Sequence, residues 1–430
     1  MPSFLFCAWD GGGAVYPTLS LVTALVERDH DVRVLGDPVL IDEIEATGAE
    51  AIAWRRAPHR TVRTPESDLF KDWEARTPLG AFSRVRDGLM FGPAADTARD
   101  VVDELERRPA DALVAEPMLA GALIAGEAAN VPVAVITTTV DPFPATGRPT
   151  FGPGLRPAAG PLGRLRDRAL SRASRAGWNR GRPALNGARA ELGLAPVDDA
   201  VEWLTQADRV LALTSEAFDY PELPRHPKVR VVGPRLDDPG WAGELALPPG
   251  DAPLVLVGLS STYQAQEDVL RRTATALGTL PVRALLTTGP MVEPLPAPSN
   301  VSVVAAAPHA AVLPHAAAVV THGGHGTVIK SLAAGVPLVL MPMGRDQRDN
   351  AARVLAAGAG VRLRRSASPA KIAAAIRTVL EDESYRMAAQ RLAAAIASEM
   401  AQDRAAAELE QLVSLQEGVQ DSGTWRPSPL

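Results

Sequence analysis

One cysteine, Cys7, stands in a chain of 430 residues, which excludes an internal disulfide framework and a cysteine-based zinc site. It lies in an apolar run and reads as a core residue. Lysine is nearly as scarce, occurring only at Lys71, Lys228, Lys330 and Lys371, so the other basic side chains are arginines. With alanine abundant, that bias reads as a high-GC coding sequence and not as chemistry. Bases are in deficit, 44 Lys and Arg against 50 Asp and Glu, for a formal net charge of −6. A phosphate backbone calls for a net basic surface, so nucleic acid is not an expected partner. No run of 18 apolar residues suggests a membrane span. Residues 1–9 lack the positive region that opens a secretory signal, so the cytoplasm is the expected compartment.

What is there describes a globular protein: 46% hydrophobic and 22% charged. At ~100–200 residues per domain, the length predicts two domains, or three. Apolar runs at 4–9, 31–35, 111–115 and 131–137 read as buried strands, and 18–27, 40–46 and 119–129 as helices. Pro17 suits a first helical position. The second half repeats the theme, with strands at 254–259, 282–287, 301–305, 318–320 and 337–341 and helices at 266–277, 327–334 and 346–356. Residues 369–416 read as almost all helix. Such alternation predicts an α/β fold with parallel sheets. A Pro- and Gly-rich linker is expected over 220–251, with Val232, Gly233 and Pro234 as a turn signal. Two irregular segments, 54–92 and 141–182, follow strands of the first half. Loops in that position sit at the carboxyl edge of a parallel sheet, where α/β folds bind ligands.

The sharpest local signal is Thr321, His322, Gly323, Gly324, His325, Gly326 and Thr327, between a strand and a helix. Glycines there admit a ligand close to backbone N–H groups, and the helix N-terminus adds roughly +0.5 of a charge. The pattern suits phosphate or pyrophosphate. Metal binding by His322 and His325 would need a third ligand, and His309 and His315 fall on a helix leading into the strand, so no metal is expected. Asp10, Gly11, Gly12 and Gly13 form a second Gly-rich turn. A G-x-G-x-x-G fingerprint begun at Gly11 would put its third glycine at Tyr16, which excludes NAD by this motif. Ser260, Ser261 and Thr262 follow a strand, where hydroxyls cap a helix or hold phosphate oxygens. Asp29, His30 and Asp31 lie at the amino end of a strand and read as a turn.

Residues 308–347 resemble the donor-binding signature of family-one, GT-B-fold glycosyltransferases. The matching pieces are Thr321 to Thr327, then Gly335, Val336 and Pro337, then Pro342, then Asp346 and Gln347. Gly13 and Pro17 fit the family's first loop, and Val232 to Pro234 its interdomain stretch. The closest flavour is the bacterial subgroup acting on natural products such as antibiotic aglycones. The resemblance implies two Rossmann-like domains facing across a cleft: an acceptor domain over 1–219, the linker, and a nucleotide-sugar domain over 252–384. It further implies helices over 385–417 crossing back to the first domain, before a flexible tail at 418–430. It implies inversion at the anomeric carbon, no cofactor and no metal, with a nucleoside-diphosphate sugar and an apolar small molecule as partners of a monomer or homodimer.

Carried over, Ser260, Ser261, Thr262, Thr288, His309, His322, Gly323, Gly324, His325, Gly326, Thr327, Asp346 and Gln347 are expected to bind the donor. Gly13, Ala14, His59, Trp73, Phe82, Phe91 and Phe143 are expected on the acceptor side. Grouped with Trp54 and Phe70, these aromatics suit an apolar pocket, about half of them serving only to anchor loops. Arg55, Arg56, Arg60 and Arg63 beside them read as solvated. The departures are informative. The family's catalytic His is replaced by Ala14, and its orienting Asp by Glu116. Asp10 is the first candidate base, Glu116 the second, His59 the third. A buried carboxylate serves if its pKa rises toward neutrality. The base-stacking Trp is absent from Ala306, Ala307, Pro308 and His309, and Lys330 replaces the acid that binds both ribose hydroxyls, which favours dTDP- over UDP-sugars. The alternatives are a GT-B partner that has lost its chemistry and a nucleotide-sugar 2-epimerase, which would not need two long aromatic loops.

Overall fold

The computed structural model describes residues 1–421 apart from Pro294, so the end of the expected tail, 422–430, lies outside the described residues. Continuous apolar runs become strands buried on both faces, the pattern of sheets covered by helices on either side. The first sheet contains β1 (Ser3–Cys7), β2 (Asp31–Gly36), β3 (Glu50–Ala53), β4 (Ala112–Ala115), β5 (Val133–Thr137), β6 (Arg209–Ala212) and β7 (Val229–Val231). Its order is β3-β2-β1-β4-β5-β6-β7, with every pair parallel. The second contains β8 (Leu254–Gly258), β9 (Arg283–Thr287), β10 (Val301–Val304), β11 (Ala316–Thr321), β12 (Leu338–Leu340) and β13 (Gly360–Arg362). It runs β10-β9-β8-β11-β12-β13, again all parallel. Both are the doubly wound, Rossmann-like arrangement. In each, the order reverses once, between β1 and β4 and between β8 and β11. A crevice at the carboxyl ends of the strands opens at such a point.

Two expectations about domain limits are corrected. The linker does not begin at 220: Val229–Val231 is the edge strand of the first sheet, a Val-Arg-Val alternation too short to stand out from its Pro-rich surroundings. Nor does the chain cross back at 385. The helix Glu383–Met400 buries Ala388, Ala389, Leu392 and Ile396 in the second domain against Val328 and Leu332. The crossing falls at 401–403, where Asp403 takes a left-handed turn (φ 38°). The next helix, Arg404–Asp421, then buries Ala405, Ala406, Leu409, Leu412 and Val413 against Phe4, Phe6 and Leu19 of the first. It includes residues 418–421, which were expected in the tail.

The two domains touch extensively. Val140 and Phe218 of the first enter the core of the second beside Val328 and Ile329. Beneath them, fully buried Asp219 accepts from Arg148 Nη1 at 3.2 Å and from Arg353 Nε of the second domain at 2.6 Å.

Candidate active site

Strand register brings the candidate residues together. The last residue of β1, Cys7, pairs with the last of β4, Ala115, so Trp9 and Asp10 emerge beside Glu116. The last residue of β8, Gly258, pairs with the last of β11, Thr321, so Ser260, Ser261 and Thr262 emerge beside His322. The two sets face one another. Gly13 N–H donates to Ser261 Oγ at 2.9 Å. Gly12 has φ 67°, and a Cβ there would stand 2.6 Å from Thr262 Cγ2, so only glycine admits this approach of the domains.

On the first-domain side the leading candidate base is displaced. Asp10 is buried, and its Oδ2 lies 3.1 Å from Arg60 Nη1 and 3.2 Å from Arg63 Nε. Its Oδ1 accepts from Gly12 N–H at 3.3 Å. Arg63 continues to Glu43 at 2.9 Å. Both oxygens of Asp10 are engaged in holding the loop, Oδ2 between two guanidinium groups that favour its charged, weakly basic form. Arg60 and Arg63, read as solvated, turn inward for this reason. Arg56, by contrast, is exposed and paired with Asp100 and Asp103. His59 bonds through Nδ1 to the carbonyl of Ala57, 2.8 Å away, a local turn contact and not a catalytic one.

Glu116 differs from Asp10 in kind. It is buried, and Trp9 Nε1–H donates to its Oε2 at 3.0 Å. Burial pushes its carboxyl up to about 7, against the hydrogen bond from neutral Trp9. The helix Val15–Val26 follows Ala14 directly. That helix begins two residues before Pro17, which sits at its third position rather than its first.

On the second-domain side, the helix His325–Ala333 starts two residues earlier than its expected bound of 327. His325, Gly326 and Thr327 are therefore its first turn, whose N–H groups have no partner within the helix. Gly323 takes φ 95°, the turn that brings the strand into the helix. His322 is buried, and a Cβ on Gly324 would touch its imidazole, so the ring lies over that glycine. Burial first, and the charge of Arg345 as well, lower His322 to about 4, against the nearby Asp346 carboxylate. It is a neutral hydrogen-bonding group. His325 is buried too, with Nδ1 3.4 Å from Asn350 Oδ1. Ser260 and Thr262 hydroxyls lie 3.0 Å apart. Thr288 is buried and bonds to the carbonyl of Gly289. His309 packs under Gly258 and meets Thr287 Oγ1 at 3.3 Å. Burial lowers it to about 4 as well.

Asp346 faces the cleft. Its Oδ2 accepts from Thr139 Oγ1 of the first domain at 2.8 Å and from Asn350 Nδ2 at 2.9 Å. Gln347, expected on the donor sugar, is buried in this structure and bonded within its own domain. Its Oε1 accepts from the N–H groups of Met343 and Gly344, and its Nε2 donates to Gln264 at 2.9 Å. Gln264 in turn donates to Ser260 Oγ at 3.0 Å. Gln347 therefore shapes the loop after β12 and ties it to the hydroxyl loop.

The aromatic acceptor wall is also corrected. Phe91 and Phe143 belong to the first domain's core, with Leu5, Met90 and Leu119. Trp54 is core as well, its indole N–H held by the carbonyl of Ala8 at 2.9 Å. Phe82 anchors the helix Pro78–Val85 edge-on to Trp178, 4.4 Å between centroids. Trp73 packs edge-on to Tyr263 of the second domain at 5.2 Å, so it bridges the cleft. Beside the loop lies a cavity of about 650 Å³ lined by Phe70 and Leu69 but also by Glu66, Asp68, Lys71, Arg84 and Asp87. Charged side chains make it unlike the apolar pocket expected.

Sequence reasoning missed three residues that the fold brings here: Trp9, Thr139 and Arg345. Each had a signal. Trp9 directly precedes Asp10, Thr139 closes the Thr137, Thr138, Thr139 run after β5, and Arg345 directly precedes Asp346. Among the described residues, no group of three His, Cys, Asp or Glu is gathered as for a metal ion. Among the same residues, no helix is long and apolar enough to cross a membrane.

Two parallel-sheet domains meeting at their switch points, one with a Gly-rich helix start and one with a buried carboxylate, define a GT-B glycosyltransferase. The comparisons agree. The family described as erythromycin biosynthesis protein CIII-like, C-terminal domain, matches residues 285–412. The chain is 34% identical over 400 residues to 4'-demethylrebeccamycin synthase of Lentzea aerocolonigenes, covering 90% of this chain and 94% of that protein. It is 30% identical over 424 residues to O-mycaminosyltylonolide 6-deoxyallosyltransferase of Streptomyces fradiae, covering 93% and 94%. A solved structure of the glycotransferase of kitacinnamycin is similar with a TM-score of 0.76 at 20% identity, covering 96% of this chain and 99% of that one. The chain belongs to the family-one glycosyltransferases of natural-product, antibiotic-type biosynthesis.

Proposed function

We propose that this transferase moves a sugar, a deoxysugar by preference, from dTDP rather than UDP to an apolar natural-product acceptor, with inversion and with Glu116 as its base. The observation that carries the reading is the pairing of Glu116, raised to about 7 by burial, with Ala14 in the place of a catalytic imidazole. A carboxylate half ionised near neutrality is matched to general-base work. Glutamate is one methylene longer than the aspartate it replaces, and Ala14 carries only a methyl where the family has an imidazole.

In this reading Glu116 takes the acceptor's proton, and the acceptor's lone pair forms a bond to the anomeric carbon. The bond from that carbon to the diphosphate oxygen breaks on the opposite face, and its electron pair leaves with the diphosphate. The free N–H groups at His325, Gly326 and Thr327, with neutral His322, stabilise that charge without a metal or any cofactor. Thr139 and Asp346, hydrogen-bonded to each other across the cleft, hold sugar hydroxyls. The dTDP preference is supported by Lys330. Its ammonium bonds to the carbonyl of Asp237 at 2.8 Å and to the Asp238 carboxylate, which also caps Ala310 N–H at 2.7 Å. Both charges are satisfied by each other, and neither is left for a pair of ribose hydroxyls. The name of the Streptomyces fradiae relative, a 6-deoxyallosyltransferase, supports a deoxysugar.

Calorimetry with dTDP, UDP, GDP and NAD is the test. Saturable binding of dTDP, tighter than UDP, is expected. Absence of binding by every nucleoside diphosphate overturns the reading. A transfer assay with the matching sugars then compares Glu116→Gln with Asp10→Asn. Loss of turnover in the first and not in the second is expected, and the reverse restores Asp10 as base.

A further inference from the structure

Arg345 is a donor-side cation that reaches both loops of the second domain's crevice, and its partners are unusual. It stands between Gly344 and Asp346 in a left-handed conformation (φ 52°), which few non-glycine residues adopt without a reason. Its Nη1 donates to Thr262 Oγ1 at 2.8 Å, in the hydroxyl loop after β8. Its charge is felt at His322, after β11. The guanidinium therefore stands between the two loops that flank the crevice, four-fifths buried. Its remaining donors do not meet the second domain at all. Nε and Nη2 form a two-pronged pair with Asp72 Oδ2 and Oδ1 at 3.0 and 2.9 Å, and the plane lies 5.0 Å from the Phe70 ring. Asp72 and Phe70 come from the long 54–92 segment of the acceptor domain, and the adjacent Trp73 packs on Tyr263.

A planar two-oxygen anion on an arginine fork has the same charge and hydrogen-bond geometry as a phosphate on that fork. We propose that Arg345 is a ligand of the donor diphosphate, and that Asp72 occupies its fork in the free enzyme as a carboxylate stand-in. Donor entry exchanges Asp72 for a phosphate and frees the 54–92 segment, so acceptor-side ordering is linked to donor-side occupancy. The proposal rests on the transferase reading. It adds a charged ligand to a cradle otherwise made of backbone N–H groups, hydroxyls and a neutral imidazole.

The experiment is calorimetry of dTDP and UDP against the full-length wild type, Asp72→Asn, Arg345→Gln and the double variant, at one fixed salt concentration. Asp72→Asn removes the competitor and is expected to tighten dTDP binding three- to tenfold. Arg345→Gln is expected to weaken it at least tenfold. In the double variant the gain from Asp72→Asn is expected to vanish, since no fork remains to be freed. The opposite signs protect the test, because a poorly folded variant does not bind more tightly. Unchanged affinity in Arg345→Gln, or a gain from Asp72→Asn that survives in the double variant, overturns the proposal while wild-type binding keeps the transferase reading intact. No binding by the wild type overturns both.

Discussion

Trp9 Nε1–H donates to Glu116 Oε2 across 3.0 Å, joining the loop after β1 to the loop after β4 at the point where strand order reverses. The bond stabilises the charged carboxylate against a burial that disfavours it. Replacing Trp9 by Phe keeps most of the apolar bulk and deletes the donor. A hydrogen bond to a charged group is worth about 1.5–3 kcal/mol, or roughly one to two pKa units. The ascending limb of kcat against pH is therefore expected to move up by about one unit or more in Trp9→Phe. Turnover falls near pH 7 and recovers above pH 9. A limb that stays in place separates Trp9 from the base.

The same carboxyl makes a stability prediction with a definite sign. Glu116 has an ordinary value of 4.5 when exposed and about 7 when folded. Between these values the native state keeps a proton that the unfolded chain has lost, so the residue's contribution falls as pH rises from about 4.5 to about 7 and is flat above. Glu116→Gln removes that cost. At pH 8 it is expected to be more stable than wild type by about 3–3.5 kcal/mol in urea unfolding, at about 1.4 kcal/mol per unit of that rise. At pH 4 the two are expected to match. Transfer activity is lost in the same variant, so stability rises where chemistry ends. A variant less stable than wild type at pH 8 refutes the raised carboxyl.

Asp10 is predicted to behave oppositely. Asp10→Asn leaves Arg60, almost fully buried, without its counter-charge. Breaking one side of a buried pair costs about 3–5 kcal/mol. Loss of stability is expected at pH 8, while the pH of the ascending limb in the folded fraction stays where it was. Denaturant titration alongside the pH profile checks both halves.

These contrasts show what the sequence could and could not reveal. The strands β1, β2, β4, β5, β8, β9, β10, β11 and β12 were legible because each is an apolar run between turn signals. Strands β3, β7 and β13 are short edge strands of three or four residues with charged or half-exposed side chains, and they were not. Strand β6 was missed as well. The Gly-rich turn was legible because its glycines sit next to one another in the chain. Asp10 and Glu116 were both visible as carboxylates at strand ends, but which of them is free depends on Arg60 and Arg63, fifty residues away. No spacing rule records whether an arginine turns inward. Gln347 fails for the same reason, since its partners Gln264 and Met343 are set by how two loops fold. Aromatic clustering was misread because loop and core aromatics share one composition, and only burial separates Phe91 from Trp73.

Thr139 tests the cross-cleft reading. Its hydroxyl reaches Asp346 in the other domain at 2.8 Å, so Thr139→Val removes one donor while keeping shape. If the pair holds sugar hydroxyls, the KM for the nucleotide sugar is expected to rise roughly tenfold, the loss of one hydrogen bond to a charged group. The affinity for the bare nucleoside diphosphate is expected to stay the same. A loss shared equally by both ligands places Thr139 in domain closure instead.

Asp219 sets how firmly the two halves of the cleft are held. Its carboxylate is fully buried and bound by Arg148 of its own domain and Arg353 of the other, and their charges lower its pKa despite burial. Its contribution is therefore present above the ordinary aspartate range and lost as pH falls through its lower folded value. Asp219→Asn leaves two buried guanidinium groups facing a neutral amide. The expected cost at pH 7 is about 3–5 kcal/mol, and that cost should shrink on acidification below pH 4, where the wild type loses the same charge. Donor affinity should fall too, because the helix Gln347–Ala357 that carries Arg353 also carries Asn350, which holds Asp346. Thermal melts of both proteins from pH 3 to pH 8, with dTDP titrations at the upper end, check the linkage. A pH-independent difference would mean that packing around Asp219, and not its charge, joins the domains.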